Sequence, residues 1–254
     1  MPTIAVAYHG LLAEAEELAE ALAKKFSSHA NWWRSSVDTI HQRSEELDTT
    51  DLLITVGGDG TTLRAVHVAA PRDIPVLGIN MGRVGFMSEI EANTALEATA
   101  WYLEGNARVE ERTMIQAQIS SDWATPDQDS AGQTSYHALN DIVVGRGKAI
   151  RLVDLKVVVD GVYLETYRAD GLVVATATGS TGDALALGGP VMDPEGRSFL
   201  LKPVAAHMSL QGGLVLRAGS TLEITLETDI EAVCSVDGFN EFPVATDQTV
   251  SIEV

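Results

Sequence analysis

The chain has 254 residues and a mass of 27.1 kDa, enough for one large or two small domains at roughly 100–200 residues each. Apolar residues at 45% and charged residues at 21% exclude a disordered or fibrous chain, and the lack of an apolar run of about 18 residues excludes a membrane-spanning helix. Its 36 acidic and 17 basic side chains leave a formal charge of −19, which serves solubility and repels nucleic-acid phosphates, so no nucleic-acid partner is expected.

Ile4-Ala5-Val6-Ala7-Tyr8 predicts a buried strand. Leu11 to Phe26 predicts a helix with Leu11, Ala15, Leu18, Leu22 and Phe26 along one face and Glu14, Glu16, Glu17 and Glu20 on the wet side. Asp51 to Val56 predicts a second strand, Thr61 to Ala70 a second helix and Pro75 to Ile79 a third strand. Asn93 is the expected cap of a helix whose apolar face is Leu96, Ala100 and Leu103. Strands alternating with helices predict a parallel sheet with helices packed on it.

After about Gly105 the helical spacing fades and short β-rich runs replace it. Leu152 to Val159 and Val162 to Tyr167 flank Asp160-Gly161, a strong hairpin signal. Thr221 to Leu226 alternates cleanly, as does much of Glu231 to Val236. This half predicts antiparallel sheet in a sandwich. Ser120 to Ser135, rich in Asp, Ser, Gln, Pro and Gly, predicts a mobile hairpin loop. The expected division is an α/β domain over residues 1–107 and an all-β domain over 108–254.

Cys234 is the single cysteine, which forbids an intrachain disulfide and a cysteine zinc cluster. Together with a start that lacks the basic segment and apolar core of a secretory signal, this leads to an expected cytoplasmic location. No His-Glu-x-x-His pattern occurs, the six histidines are scattered, and no protein-held metal site is expected.

The sharpest local signal is Gly57-Gly58-Asp59-Gly60-Thr61, between a predicted strand and a predicted helix. Glycines there let the backbone approach a ligand, and the free amides of a helix N-terminus favour a phosphate. Asp59 would be repelled by that phosphate and so needs a purpose, such as accepting a proton from an attacking hydroxyl or orienting that hydroxyl and a Mg²⁺. The alternative is a plain strand-to-helix turn with Asp59 as a helix cap. Neither a P-loop nor a complete Gly-x-Gly-x-x-Gly pattern is present.

Taken with later segments, the motif resembles the NAD kinase family. Gly57 to Arg64 looks like the first signature of that family, and Gly78-Ile79-Asn80-Met81-Gly82-Arg83-Val84-Gly85-Phe86-Met87 is similar to its Gly-Ile-Asn-x-Gly-x-x-Gly-Phe-Leu segment. Leu139-Asn140-Asp141 matches its Asn-Glu/Asp pair, Arg168 to Thr181 resembles its Asp-Gly-Leu…Thr-Gly-Ser-Thr signature, and Gly188-Gly189-Pro190 follows. The five segments stand in family order.

The resemblance implies a site in the cleft between the two domains, assembly as a homodimer or homotetramer, and a chain end that returns to the first domain. It implies ATP and NAD as substrates, with Mg²⁺ or another divalent cation. Asp59 would accept the proton of the adenosine-side 2′-hydroxyl and touch NAD together with Gly60. Gly57, Gly58, Gly60 and Thr61 would cradle phosphates, and Arg64 would reach one unless it is simply a solvated helix arginine.

Asn140 and Asp141 would hold sugar hydroxyls unless they merely close a polar turn. Asp170, Thr178 and the stretch Thr181, Gly182, Asp183, Ala184, Leu185 and Ala186 match dinucleotide-contacting positions, and Arg151 and Arg168 match basic ones or are surface strand arginines. Three departures stand out: Gly182-Asp183 where the family usually has Ala-Tyr, the looser Pro203 to His207, and Phe239 where Gln is frequent.

The reading is therefore a kinase converting NAD to NADP, with ATP or polyphosphate as donor. The alternatives are a non-catalytic NAD(H)- or NADP(H)-binding protein, which the departures motivate, and a lipid kinase sharing the Gly-Gly-Asp-Gly-Thr element. The chain offers no amphipathic basic helix for a membrane surface.

Overall fold

A computed structural model describes residues 1–82, 85–120, 133–148, 151–206 and 212–254. Its internal contacts separate two compact units, Met1–Val109 and Glu110–Val254.

The first unit runs β1 (Thr3–Tyr8), α1 (Ala13–Lys25), β2 (Asn31–Ser36), α2 (Ser44–Leu47), β3 (Leu52–Gly57), α3 (Asp59–Ala69), β4 (Val76–Asn80), β5 (Ile90–Glu91) and α4 (Ala95–Trp101). Its five strands are parallel in the order β2-β1-β3-β4-β5. Successive side chains of a strand point to opposite faces. Ile4 and Val6 accordingly pack with Ala15, Ala19 and Leu22 of α1, while Ala5 and Ala7 pack with Leu47 of α2 and Ala65 and Ala69 of α3. Burial on both faces explains why β1 and β3 are nearly continuous apolar runs, with Thr55 of β3 paired to the Thr62 hydroxyl.

Two expectations are corrected here, and one strand is added. Leu11 is 88% exposed, because α1 begins only at Ala13 with Leu12 at its N-cap. Asn93 caps nothing: it lies in a 3₁₀ turn, Ala92–Thr94, that leads into α4, and Thr94 holds the cap position without a side-chain bond. Strand β2 went unforeseen, since Asn31-Trp32-Trp33-Arg34-Ser35-Ser36 is a half-exposed edge with neither alternation nor an apolar run.

Besides a 3₁₀ turn, Gly179–Thr181, the second unit has twelve strands and one short α-helix among its described residues. In chain order they are β6 (Ile115–Ser120), β7 (Gln133–Ala138), β8 (Asp141–Arg146), β9 (Val153–Val159), β10 (Val162–Ala169), β11 (Gly171–Ala175), α5 (Asp183–Ala186), β12 (Phe199–Val204), β13 (Leu214–Leu216), β14 (Leu222–Leu226), β15 (Ala232–Val236), β16 (Asn240–Val244) and β17 (Thr249–Glu253). They form two six-stranded sheets, β10-β9-β14-β17-β6-β7 and β13-β12-β11-β8-β15-β16. Neighbouring strands are antiparallel throughout.

Both sheets contribute to one apolar core, with Leu155, Ile224 and Ile252 from the first and Ile142, Leu172 and Phe199 from the second. This is the sandwich that alternation predicted. On the other face of β11, Val173 and Ala175 pack with Ala184 of α5 and Leu200 of β12.

Asp160 and Gly161 both take left-handed conformations, φ 50° and 76°, and join β9 to β10 as the Asp-Gly signal requires. Asp237 and Gly238, at 51° and 74°, do the same between β15 and β16. The mobile loop expected over Ser120 to Ser135 falls mainly on residues 121–132, outside the described residues. At the chain end, β17 lies between β14 and β6 of the second unit. Cys234 is fully buried, and burial pushes its thiol up to about 12, so it stays unreactive. Among the described residues no helix is long and apolar enough to cross a membrane.

Candidate active site

In the first unit the site grows from the β3–α3 junction. A Cβ on Gly57 would stand 2.2 Å from Thr61 Oγ1, so glycine is needed for the first helical turn to fold back on the strand end. Around Gly58 and Gly60 a Cβ would meet nothing within 4 Å. The two kinds of glycine differ in purpose: Gly57 serves packing, whereas Gly58 and Gly60 leave room beside the backbone. The amides of Thr61 and Thr62 close on the Gly58 carbonyl, at 2.9 and 3.2 Å. The N–H groups ahead of them belong to the unsatisfied end of the helix, where an anion is favoured. Thr61 is 3% exposed, and its hydroxyl has no partner among the described residues.

Asp59 starts α3. Its Oδ2 accepts a hydrogen bond from the Phe86 amide at 3.0 Å and its Oδ1 one from the Met87 amide at 3.3 Å. A Cβ on Gly85 would lie 2.0 Å from Oδ1, which is why that position holds glycine. Two segments read separately in the sequence thus form one device, in which the second loop orients the carboxylate of the first.

A cavity of about 520 Å³ opens at the carboxyl ends of β1, β3 and β4, lined by His9, Leu12, Gly58, Thr61, Arg64 and Asn80 among others. The sheet winds one way from β1 to β2 and the other way to β3, and such a reversal is where open α/β sheets bind ligands. Arg64 is paired with Asp38 at 2.6 Å, both about half exposed at the cavity wall.

In the second unit, Asn140 and Asp141 form the turn entering β8, and a residue overlooked in the sequence holds it. Asp237 Oδ2 accepts from the Leu139 amide at 2.9 Å, and its Oδ1 accepts from the amides of Asn140 and Asp141 at 2.8 and 3.1 Å. Its contact with Asp141 spans 96 positions of sequence, so only the Asp237-Gly238 pair hinted at anything there, and it hinted at a turn. On the other side, the Thr176 amide donates to the Asn140 carbonyl at 2.9 Å. A Cβ on Gly179 would lie 1.9 Å from that same oxygen.

The helix α5 follows. Ala184 is buried in the core, whereas Gly182, Asp183, Leu185 and Ala186 are exposed. Thr178 is buried and accepts from Arg112, another residue passed over in the sequence, at 3.3 Å, while the Thr181 hydroxyl donates to the Thr178 carbonyl at 3.1 Å. Asn140, Asp141, Thr178, Thr181 and the start of α5 therefore share one region.

Three expected contacts stand apart from it. Ala175 lies opposite Asp141 in the β11–β8 register and Gly171 opposite Gly145, so Asp170 sits at the far end of the strand pair. There it binds Arg146 at 2.8 Å. Arg168 is exposed on the edge strand β10, and Arg151 is exposed just before β9.

Asp141 is 6% exposed, and burial, with the negative charges of Asp183 and Asp237, raises its carboxyl from 3.8 to about 7. A carboxyl raised in the folded state binds its proton more tightly there than in the unfolded chain. Its contribution is therefore full below about pH 4 and is lost as the pH rises through about 7. The Asp141→Asn variant is expected to lose less stability than the parent between pH 5 and pH 8, which thermal melts at the two pH values measure.

The ATP-NAD kinase N-terminal domain family model matches residues 8–107, and the ATP-NAD kinase C-terminal domain model matches residues 139–254. The NAD kinase of Dehalococcoides mccartyi strain CBDB1 is 35% identical over 250 residues, covering 98% of this chain and 86% of the relative. The NAD kinase of Heliobacterium modesticaldum is 33% identical over 261 residues, covering 99% and 90%. Among solved structures, an NAD kinase from Archaeoglobus fulgidus in complex with ATP superposes with a TM-score of 0.76 at 31% identity, over 99% of this chain and 89% of that one. The yeast NADH kinase complexed with NADH shares the fold, with a TM-score of 0.80 at 22% identity over 100% and 80%. A parallel α/β unit followed by an antiparallel β unit, with both family models matched in order, means that this chain belongs to the ATP-NAD kinase family.

Proposed function

We propose that this protein transfers the γ-phosphoryl group of ATP to the adenosine 2′-hydroxyl of NAD, giving NADP. The observation that carries the reading is Asp59, a carboxylate aimed by two backbone amides at the mouth of a glycine-lined helix N-terminus. A hydroxyl is a poor nucleophile until its proton is taken as the new phosphorus–oxygen bond forms, and Asp59 is the acceptor placed to take it. Phosphate oxygens bind at the amides of the α3 N-terminus and satisfy the orphaned Thr61 hydroxyl. Asn140 donates to and accepts from sugar hydroxyls, and Asp141 accepts from a vicinal pair.

No group of three or more His, Cys, Asp or Glu side chains placed to hold a metal ion occurs among the described residues. In this reading Mg²⁺ would arrive on the nucleotide, the usual arrangement for this ion, and Asp59 and the Thr61 hydroxyl are the oxygen ligands the loop would offer. Held there, Mg²⁺ would supply positive charge against the donor's phosphates. We place the protein in the cytoplasm as a homodimer or homotetramer, a subunit count that light scattering measures.

The deciding assay mixes protein, Mg²⁺ and ATP or polyphosphate with NAD⁺ or NADH, and detects product with a dehydrogenase that ignores the unphosphorylated cofactor. NADP formation is expected with ATP. Binding of NAD without product from either donor would turn the reading to a dinucleotide-binding protein. The open space at Gly60 supplies a second test. Gly60→Ala should hold or raise stability, since Ala is better than Gly inside a helix by about 1 kcal/mol, yet raise the KM for ATP. An unchanged KM would remove Gly60 from the phosphate cradle.

A further inference from the structure

Two buried carboxylates share the Leu139–Asp141 turn, and their circumstances are opposite. Asp237, 7% exposed, takes all three backbone N–H groups that the turn offers. Asp141, 6% exposed, has no hydrogen bond to its carboxylate among the described residues. Its oxygens are not among the fully enclosed ones that lack a partner, so the carboxylate keeps a small opening through which donors from outside the protein can reach it. The turn is closely packed against Gly179, where a Cβ would stand 1.9 Å from the Asn140 carbonyl oxygen.

Gly182 stands next to this acceptor. The position of a Cβ on Gly182 lies 3.9 Å from Asp141 Oδ2 and 4.0 Å from Asn140 Nδ2, so the glycine leaves the polar ends of both side chains uncovered. A carboxylate that only accepts, beside an amide that both donates and accepts, fits the vicinal hydroxyls of a sugar.

We infer that Asp237 is a positioning residue for the acceptor: by taking up the N–H groups of the turn it reserves the Asp141 carboxylate for hydroxyl donors that a nucleotide sugar brings. The inference rests on reading this turn as the acceptor's site. It carries a linked consequence. The charged groups acting on Asp141 are Asp183 at the start of α5 and Asp237 at the β15–β16 turn, both acidic. Without a ligand the Asp141 carboxyl therefore holds a proton up to about pH 7. Sugar hydroxyls favour its charged form, so acceptor binding expels the proton, and affinity rises with pH through neutrality.

The test uses calorimetry of NAD⁺ binding to the unmodified protein at pH 7, in two buffers of different ionisation enthalpy. A fraction of one proton is expected to be released, and none by Asp141→Asn. No release by the unmodified protein overturns the inference whether or not any variant folds. Asp237→Asn places an N–H against the Leu139 N–H and removes one negative neighbour of Asp141. In that variant KM for NAD should rise about tenfold, the effect of one hydrogen bond, with kcat within about threefold, and the midpoint of the KM–pH profile should move to lower pH. A KM and midpoint equal to those of the parent would also overturn it. The acceptor-site reading fails separately: NAD⁺ binding that survives Asn140→Ala and Asp141→Ala unchanged would move the site elsewhere.

Discussion

Replacing Asp59 with Asn should lower kcat by about 10²–10⁴-fold, the span that general acid–base groups contribute, while the protein stays folded. The substitution preserves shape. The new amide oxygen still accepts one of the two backbone N–H bonds, and its nitrogen faces the other. Because Asp59 is half-buried at a helix start, the cost in stability is that of one or two charge-assisted bonds, each about 1.5–3 kcal/mol. What the variant loses altogether is the capacity to take a proton. Were Asp59 only an acid favouring the helix N-terminus, removing its charge would cost about 0.3–1 kcal/mol of stability and leave kcat alone. Initial rates at saturating ATP and NAD, with a thermal melt on the same preparation, separate the outcomes, and an unchanged kcat would remove Asp59 from the chemistry.

The second large effect is structural and lies in the other unit. Gly179→Ala inserts a Cβ 1.9 Å from the Asn140 carbonyl oxygen and 2.4 Å from its carbon. These are backbone atoms in a turn tied to Asp237 by three hydrogen bonds, so relief must break the turn. Overpacking of this kind typically costs about 1–3 kcal/mol and more when backbone is the obstacle. At roughly 2–4 °C per kcal/mol, a cost of about 3 kcal/mol lowers Tm by about 6–12 °C, with NAD binding lost as well. Three positions later, Gly182→Ala meets its nearest atom at 3.4 Å, an ordinary contact, and should shift Tm by no more than about 2 °C. Calorimetric melts of the two variants check the contrast. Equal destabilisation would mean that helix α5, not the Asn140 turn, sets the tolerance.

The strands buried on both faces were legible because nothing but strand explains a run such as Ile4 to Ala7 next to a helical repeat. The Asp160-Gly161 hairpin was legible because two consecutive positive φ angles demand that pair of residues. What escaped was whatever depends on distant partners. An edge strand such as β2 is held by its neighbour β1 rather than by its own pattern. The helix start at Ala13 rather than Leu11 was obscured because apolar spacing continued past the last residue that packs.

The site divides in the same way. Gly57 to Thr61 carried its meaning locally, in a strand, a glycine turn and a helix. The binding of Asp59 by residues 86 and 87, and of the Asn140 turn by Asp237, needs the tertiary fold. Asp170, Arg168 and Arg151 entered only through the family resemblance, and the fold of a single chain does not bring them to that turn.

Strand β17 has a consequence for how the chain acquires its shape. The β6–β7 pair joins the remaining strands of its sheet only through β17, with Ile119 beside Val250. On the ribosome, β6 emerges early and waits for the strand at Thr249–Glu253 before its second edge is covered. Meanwhile β6 presents Ile115, Ala117 and Ile119 on a half-made sheet, with unpaired backbone open to other chains. The first unit has no such wait, since its strands β1 to β4 pair within the first eighty residues. Synthesis thus delivers the parallel α/β half first, and its antiparallel companion closes only as strand β17 arrives.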